Sequence, residues 1–157
     1  MIVAGTGHRP GKLNGYSSKA FNVLVDIASK WLEENKPTKV ISGMAMGWDM
    51  ALAQATINKN IPLICALPFK GQEKMWSKDI QALYNDLISK AQKIVYVSPE
   101  GYTPKKMQKR NQWMVDHADV ILAMWDGTMG GTYNCIKYAE NKQKSIINLY
   151  NTWKLIK

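Results

Sequence analysis

The chain contains few of the residues that build metal or disulfide sites. It has two cysteines and two histidines among 157 residues. Cys65 lies in an apolar, strand-like run and Cys135 on a helix-like segment, with neither a CxxC partner nor a histidine at metal-ligand spacing. We therefore expect two reduced thiols that serve packing, and no metal site.

Long hydrophobic runs are also absent. No apolar stretch approaches the roughly 18 residues that span a bilayer, and residues 1–5 lack the basic region and apolar segment of a signal peptide. These absences predict a cytoplasmic protein with no membrane partner. Hydrophobic residues make up 46% of the chain, enough to bury a continuous core. Because no long linker interrupts the sequence, we expect one domain over residues 1–157.

Acidic residues are scarce relative to basic ones. Twelve Asp and Glu stand against 21 Lys and Arg, which leaves a formal charge of +9. The surplus favours anionic partners. A solvated, lysine-rich surface explains most of these residues, and charge alone does not distinguish nucleic acid from a small phosphorylated ligand.

Short β-rich runs alternate with longer helical patterns. The runs show little alternation of polar and apolar residues, which is typical of strands buried on both faces. We expect a three-layer, Rossmann-like α/β fold, with a mostly parallel sheet of about six strands and helices on both faces. Predicted strands cover residues 2–4, 39–41, 62–68, 94–97, 120–125 and 146–149, and predicted helices cover residues 17–34, 49–58, 80–90, 104–117 and 132–143.

Three glycine-rich turns follow predicted strands at points where helices begin. The carboxyl ends of parallel strands meet at one edge of a sheet, where helix N-termini bind phosphate. The turns therefore predict a shared pocket. They are Gly5-Thr6-Gly7-His8-Arg9-Pro10, Ser42-Gly43-Met44-Ala45-Met46-Gly47-Trp48-Asp49 and Gly127-Thr128-Met129-Gly130-Gly131-Thr132-Tyr133-Asn134.

The first turn offers groups that bind an anion. Gly5 and Gly7 let backbone amides approach a ligand, Arg9 presents a fork of donors, and His8 donates or accepts near neutral pH. The alternative is a tight turn that packs glycine against a neighbouring helix.

In the second turn, Gly43 and Gly47 bracket an apolar segment, and Asp49 falls in the first turn of a helix. A carboxylate there is stabilised by the helix dipole, so capping explains Asp49 without chemistry. Alternatively, Asp49 holds a ribose hydroxyl or assists a leaving group.

The third turn is the most specific of the three. Gly130 and Gly131 supply amide donors at a helix start, with the Thr132 hydroxyl and the Asn134 amide beside them. An N-cap role accounts for Thr132, but not for the pair of glycines.

Two common nucleotide motifs are excluded. A Walker loop fails because one residue too many separates Gly5 from Gly11, and because Leu13 stands where Ser or Thr binds magnesium. The dinucleotide fingerprint fails at Pro10, and no acidic residue follows the second strand at Ser42 and Gly43. We expect no nicotinamide chemistry and no resident cofactor.

Taken together, GTGHRP after the first strand, SGMAMGWD after the second, MQKRN before the fifth and GGTYN after it resemble the SLOG superfamily. This superfamily comprises the Smf/DprA and LOG-like Rossmannoid proteins, and the chain is most similar to its YpsA-like branch, over nearly its whole length. The resemblance implies a nucleotide-derived ligand, ADP-ribose-like or a cyclic nucleotide, bound across the strand ends by the glycine-rich turns and Ser42, Gly43 and Met44.

The LOG phosphoribohydrolases of this superfamily cleave the N-glycosidic bond of a nucleoside monophosphate and carry MHxRK and PGGxGTxxE segments. Met107, Arg110 and Asn111 resemble the first segment, which implies that Arg110 holds a phosphate. The second segment departs from the pattern, because Cys135 stands where the family has its catalytic glutamate. The departure favours binding over the LOG reaction.

Three functions remain open at this point. The first is a sensor or sequestering protein for a small nucleotide-derived ligand. The second is a hydrolase of an N-glycosidic or phosphate bond, with Asp49, Asp126 or Glu140 as its carboxylate and Arg110 on the phosphate. The third is single-stranded DNA binding, which the resemblance to DprA permits. Its base-stacking residues would be Trp48, Trp76, Trp113 and Tyr133.

Two further features carry expectations. Trp113, Met114 and Trp125 predict an apolar face for self-association, and therefore a homo-oligomer. Residues 69–79 form the longest loop and are the candidate for a mobile flap over the site.

Overall fold

The computed structural model describes residues 1–156, which form a six-stranded sheet. All neighbouring strands run parallel, in the order β4-β3-β2-β1-β5-β6. The predicted α/β class with a parallel sheet is confirmed. The strands are β1 (Ile2–Gly7), β2 (Lys39–Ser42), β3 (Leu63–Leu67), β4 (Lys93–Tyr96), β5 (Val120–Met124) and β6 (Ser145–Asn148).

Helices cover both faces of this sheet, as predicted. Val3 and Ala4 are neighbours on β1 but point into different buried clusters, because successive strand residues face opposite sides. The Val3 cluster lies beneath α1, α2 and α6, and the Ala4 cluster beneath α4 and α5. The helices are α1 (Ser18–Asn35), α2 (Trp48–Asn58), α3 (Lys78–Ser89), α4 (Pro104–Asp116), α5 (Gly131–Asn141) and α6 (Tyr150–Ile156), and a 3-10 turn covers Pro10–Lys12.

Helix starts fall into two groups. The hydroxyls of Ser17, Ser77 and Thr103 cap α1, α3 and α4 by accepting from backbone amides three residues on. Helices α2 and α5 instead follow Gly47 and Gly130, and these N-cap residues make no side-chain cap hydrogen bond. The first amide of α2 is already bound, since Trp48 donates to the His8 carbonyl at 3.2 Å. The third turn, by contrast, opens α5 without a side-chain cap for its first amides.

The strand order reverses between β1 and β5. After β1 the chain builds β2, β3 and β4 on one side, then crosses to β5 and β6 on the other. Gly7 pairs with Met124 at the carboxyl ends, and the His8 amide donates to the Met124 carbonyl at 3.0 Å. The first and third turns thus adjoin at the crevice where open α/β sheets bind ligands.

Two expectations differ from the structure. Helix α6 is absent from the predicted elements, because it has seven residues and buries Trp153 alone. The apolar face expected from Trp113, Met114 and Trp125 does not form as a surface. Met114 is 1% exposed in the core, and Trp113 stacks on His117 with ring centroids 4.0 Å apart. Within residues 1–156, no helix is long and apolar enough to cross a bilayer.

Candidate functional site

A cleft of about 560 Å³ opens above the carboxyl ends of β1 and β5. It is lined by residues of all three glycine-rich turns, by α4 and by the loop before α4. The fold thus brings the three turns together, as a shared pocket requires. The predicted site residues that line the cleft are Thr6, Gly7, His8, Arg9, Asp49, Arg110, Gly130, Gly131, Thr132 and Asn134.

The other predicted residues, Gly5, Ser42, Gly43, Met44, Gly47 and Asp126, are not among the residues that line the cleft. Two of these glycines serve close packing. A Cβ at Gly5 would lie 2.5 Å from Leu52 Cδ2, and one at Gly47 would lie 2.5 Å from the His8 carbonyl oxygen. Gly47 also has φ of +92°, which favours glycine. Gly5 thus lets β1 pack closely on α2, and Gly47 lets the second turn pack closely on the first.

Ser42 and Met44 shape the second turn from within. The Ser42 hydroxyl donates to the Asp49 carbonyl at 2.8 Å and accepts from the Met44 amide at 3.1 Å. Met44 is fully buried in the core and has φ of +59°. Their contacts are with the protein interior, and they position Asp49 rather than the ligand.

Arg110 reaches the cleft from α4 and is 4% exposed. Its Nη1 donates to the Gly43 carbonyl at 2.6 Å, and its Nε donates to Asn111 Oδ1 at 3.1 Å. A Cβ at Gly43 would lie 2.5 Å from Nη1, so glycine is required for this approach. Burial lowers the pKa of Arg110 while Asp49 opposes the shift.

Asp49 is a buried carboxyl group in the wall of the cleft, 5% exposed. Burial raises its pKa from 3.8 to about 6, although Arg110, the Ala45 amide and Arg9 act in the opposite direction. The Ala45 amide donates to Oδ2 at 3.4 Å, whereas Oδ1 has no hydrogen-bond partner. A buried acceptor without a donor is costly, and a ligand donor would relieve that cost.

The raised pKa of Asp49 predicts a pH-dependent stability. The folded state binds a proton more tightly than the unfolded state, so the Asp49 contribution to stability falls as pH rises from 3.8 to about 6. Replacing Asp49 with asparagine removes this dependence. From about pH 3.5 to about pH 7, the unfolding free energy of the variant should rise by about 3 kcal/mol relative to that of wild type. Urea denaturation at both pH values measures it, and a constant difference would contradict the shift.

A hydrogen-bond network joins the first and third turns. His8 Nε2 lies 2.8 Å from Asp126 Oδ1 and 2.9 Å from the Asp126 backbone nitrogen. The Thr128 hydroxyl and amide also donate to Oδ1, and Lys12 Nζ donates to the Thr128 hydroxyl at 2.6 Å. Thr128 and His8 hold the pKa of Asp126 well below its usual range. Asp126 is therefore an ionised carboxylate whose Oδ1 joins the first turn to the third.

The third turn opens α5 without a side-chain cap. Gly130 is the N-cap with φ of +150°, and Gly131 begins the helix with no atom within 4 Å of a Cβ built on it. Thr132 is the second residue of α5, so the N-cap role weighed for it does not occur. Gly130, Gly131 and Thr132 line the same cleft as Lys12 and Arg9.

Cys135 occupies the position of the catalytic glutamate in the LOG pattern. It is 1% exposed, accepts a hydrogen bond from the Thr6 hydroxyl, and burial raises its pKa to about 11. The neutral thiol packs in the core. Glu140 lies further along α5 and forms an ion pair with Lys137 at 3.2 Å. Neither side chain is among the residues that line the cleft.

Some residues weighed in the sequence do not reach the cleft. Trp48 is fully buried and donates from Nε1 to the Leu122 carbonyl, so it offers no surface for a base. The loop over residues 69–79 is not among the residues that line the cleft. Gln72 ties this loop to the Gly43 carbonyl, and Gln81 donates to three of its carbonyls. These bonds argue against a flap.

The cleft also contains residues that sequence reasoning did not select. Thr128 lies inside the third turn and Lys12 lies two positions after the end of the first turn, so their signal was membership of, or proximity to, a glycine-rich turn. Tyr102, Pro104 and Gln108 had no such signal, because the fold alone places the start of α4 at this edge. The additional lining residues are Gly11, Lys12, Ala45, Tyr102, Pro104, Met107, Gln108, Asn111, Thr128 and Met129.

Known structures with this fold include proteins of different activities. The chain superposes on DNA processing protein A (DprA) from Streptococcus pneumoniae with a TM-score of 0.69 and 16% identity, covering 94% of this chain and 49% of that one. It superposes on the molybdenum cofactor binding protein from Rippkaea orientalis with a TM-score of 0.61 and 15% identity, covering 94% of this chain and 74% of that one. At these identities the likeness shows the fold.

Sequence comparison gives the family. The chain is 35% identical to the SPbeta prophage-derived protein YoqJ of Bacillus subtilis (strain 168) over 138 residues, which are 78% of each protein. The model of the YspA SLOG family matches residues 3–155. The resemblance of the four glycine-rich and basic motifs to SLOG proteins is thereby confirmed, and the chain belongs to the YspA SLOG family.

Proposed function

We propose that the cleft binds a small nucleotide-derived ligand and that the protein acts as a sensor or sequestering protein for it. The observation that carries this proposal is the pairing, in one cleft, of an uncapped helix start with a buried carboxylate oxygen that has no donor. The first group suits a phosphate and the second suits a sugar hydroxyl. A nucleotide presents both, joined by a short covalent link.

The phosphate end of the proposed ligand lies at the start of α5. Backbone amides and the helix dipole both favour an anion there. Lys12 and Arg9 line the same cleft, and Arg110 adds a third positive charge, against the one carboxylate of Asp49. The net positive field attracts a phosphate.

The sugar end lies at Asp49. A hydroxyl donates to a carboxylate, whereas a phosphate oxygen close to it is repelled. This contact requires ionised Asp49, so ligand affinity should fall as the pH drops below the pKa of about 6.

Hydrolysis of the N-glycosidic bond is the second candidate function. A carboxyl group with a pKa of about 6 suits general acid or base chemistry near neutral pH, which favours Asp49 for this role. Asp126 is less suited, because its pKa is lowered and its Oδ1 already accepts from Thr128. Arg110 would hold the phosphate in either function.

The first experiment mixes stoichiometric protein with nucleoside monophosphates, ADP-ribose, NAD and cyclic nucleotides, and quantifies free ligands and products by chromatography and mass spectrometry. Depletion of one compound that returns intact after denaturation supports the binding protein. A released base supports the hydrolase. If every compound stays free and intact, both proposals fail. Steep salt dependence with an oligonucleotide would instead favour the single-stranded DNA function.

Replacing Lys12 with methionine should weaken binding of a phosphorylated ligand by about tenfold to a hundredfold, as expected for a lost charge-assisted contact. Lys59→Met is the matched control. Lys59 is also a partly exposed lysine, and it pairs with the Glu33 carboxylate as Lys12 pairs with that of Asp126. Isothermal titration calorimetry on both variants measures the effect. Equal affinities of the two variants would show that Lys12 does not contact the ligand.

We also propose that the protein self-associates, as its sequence led us to expect. A monomer in multi-angle light scattering at working concentration would contradict this proposal.

A further inference from the structure

The rim of the cleft carries exposed apolar side chains. Tyr102, on the loop between β4 and α4, is 65% exposed, and Met129, on the loop between β5 and α5, is 81% exposed. Met107 of α4 lines the same cleft and is partly buried. Isolated exposed apolar residues are common on protein surfaces. Here two of them, with the partly buried Met107, line a cleft that also contains charged side chains.

Tyr102 is held in place at this rim. Its ring makes an edge contact with Phe69, with ring centroids 6.2 Å apart and planes at 75°. Phe69 is 6% exposed, so it anchors Tyr102 to the protein interior. A tyrosine supported on one side and open on the other is a stacking surface. Methionine adapts to the face of a flat ring through its flexible, polarizable thioether.

We infer that Tyr102, with Met107 and Met129, binds the planar heterocyclic base of the ligand by stacking, so that the protein recognises a nucleotide rather than a sugar phosphate. This inference rests on the proposed function. The charged groups inside the cleft account for phosphate and sugar, and the apolar rim accounts for the remaining part of a nucleotide. The cleft volume of about 560 Å³ is within the usual range for small-molecule sites.

The test compares three probes: AMP, ADP-ribose and ribose 5-phosphate, which lacks a base. Wild type should bind AMP or ADP-ribose at least about tenfold more tightly than ribose 5-phosphate, because stacking of one base contributes on that scale. Tyr102→Ala should lose this advantage and leave the affinity for ribose 5-phosphate unchanged. Tyr102→Phe keeps the aromatic ring and should retain the tighter binding of the ligands that have a base.

Tyr16→Ala is the control, because Tyr16 is also 65% exposed but lines a different groove. Calorimetry gives the affinities, and thermal melting verifies that all variants fold. If Tyr102→Ala weakens all three probes equally, or changes none of them, the stacking inference is overturned. If wild type binds none of the three probes, the stacking inference is overturned, whereas the proposed function fails only if NAD and the cyclic nucleotides of the panel also stay free. Binding of ribose 5-phosphate as tightly as AMP overturns the inference alone.

Discussion

Replacing Gly131 with aspartate should weaken binding of any phosphorylated ligand by roughly a hundredfold or more, because two negative charges a few ångströms apart near a protein surface repel by several kcal/mol. The fold should persist. Gly131 begins α5, and a Cβ there meets no atom within 4 Å. A carboxylate in the first turn of a helix stabilises it by about 0.3 to 1 kcal/mol.

Gly131→Asn is the matched control, since asparagine has the shape of aspartate without its charge. Calorimetry with the ligand identified in the panel, and thermal melting of both variants, separate binding from folding. The expected result is a stable aspartate variant that does not bind and an asparagine variant that binds measurably. Equal binding by the two variants would show that the ligand anion lies elsewhere.

Replacing Arg110 with methionine should destabilise the protein by about 3 to 5 kcal/mol at neutral pH, because buried hydrogen bonds are lost and a buried carboxyl group loses a compensating charge. The variant loses the donors to the Gly43 carbonyl and Asn111 and removes the positive charge that lowers the pKa of Asp49 most. Urea denaturation at pH 7 measures the change. Arg9, the other arginine of the chain, is exposed, and Arg9→Met should cost about 0.5 kcal/mol or less.

A double variant identifies the cause. In Arg110→Met with Asp49→Asn, no unpaired carboxylate is left in the interior, so part of the lost stability should return. The reference is Asp49→Asn alone: if adding Arg110→Met costs as much in Asp49→Asn as in wild type, the loss comes from packing and the Gly43 contact rather than from charge.

Local signals in the sequence were sufficient for the elements and for the turns. Strands appeared as short apolar runs, and α1 as a periodic apolar stripe, because burial of one or both faces imposes that pattern on each segment. The glycines of the third turn marked the start of α5, since few other residues allow such a backbone. No comparable pattern in the sequence indicated helix α6 or the hydrogen bond from Gln72 to the Gly43 carbonyl.

The sequence by itself determined a parallel α/β fold and three turns at strand ends, because periodicity and glycine act over neighbouring residues. Tertiary structure decided which turns meet. The adjacency of β1 and β5 joins His8 to Asp126, and the crossing of α4 brings Arg110 to Gly43 and Asp49. The pKa of Asp49 near 6 and the missing donor at its Oδ1 arise from burial by these distant segments. Burial depends on the whole fold, and no local pattern encodes it.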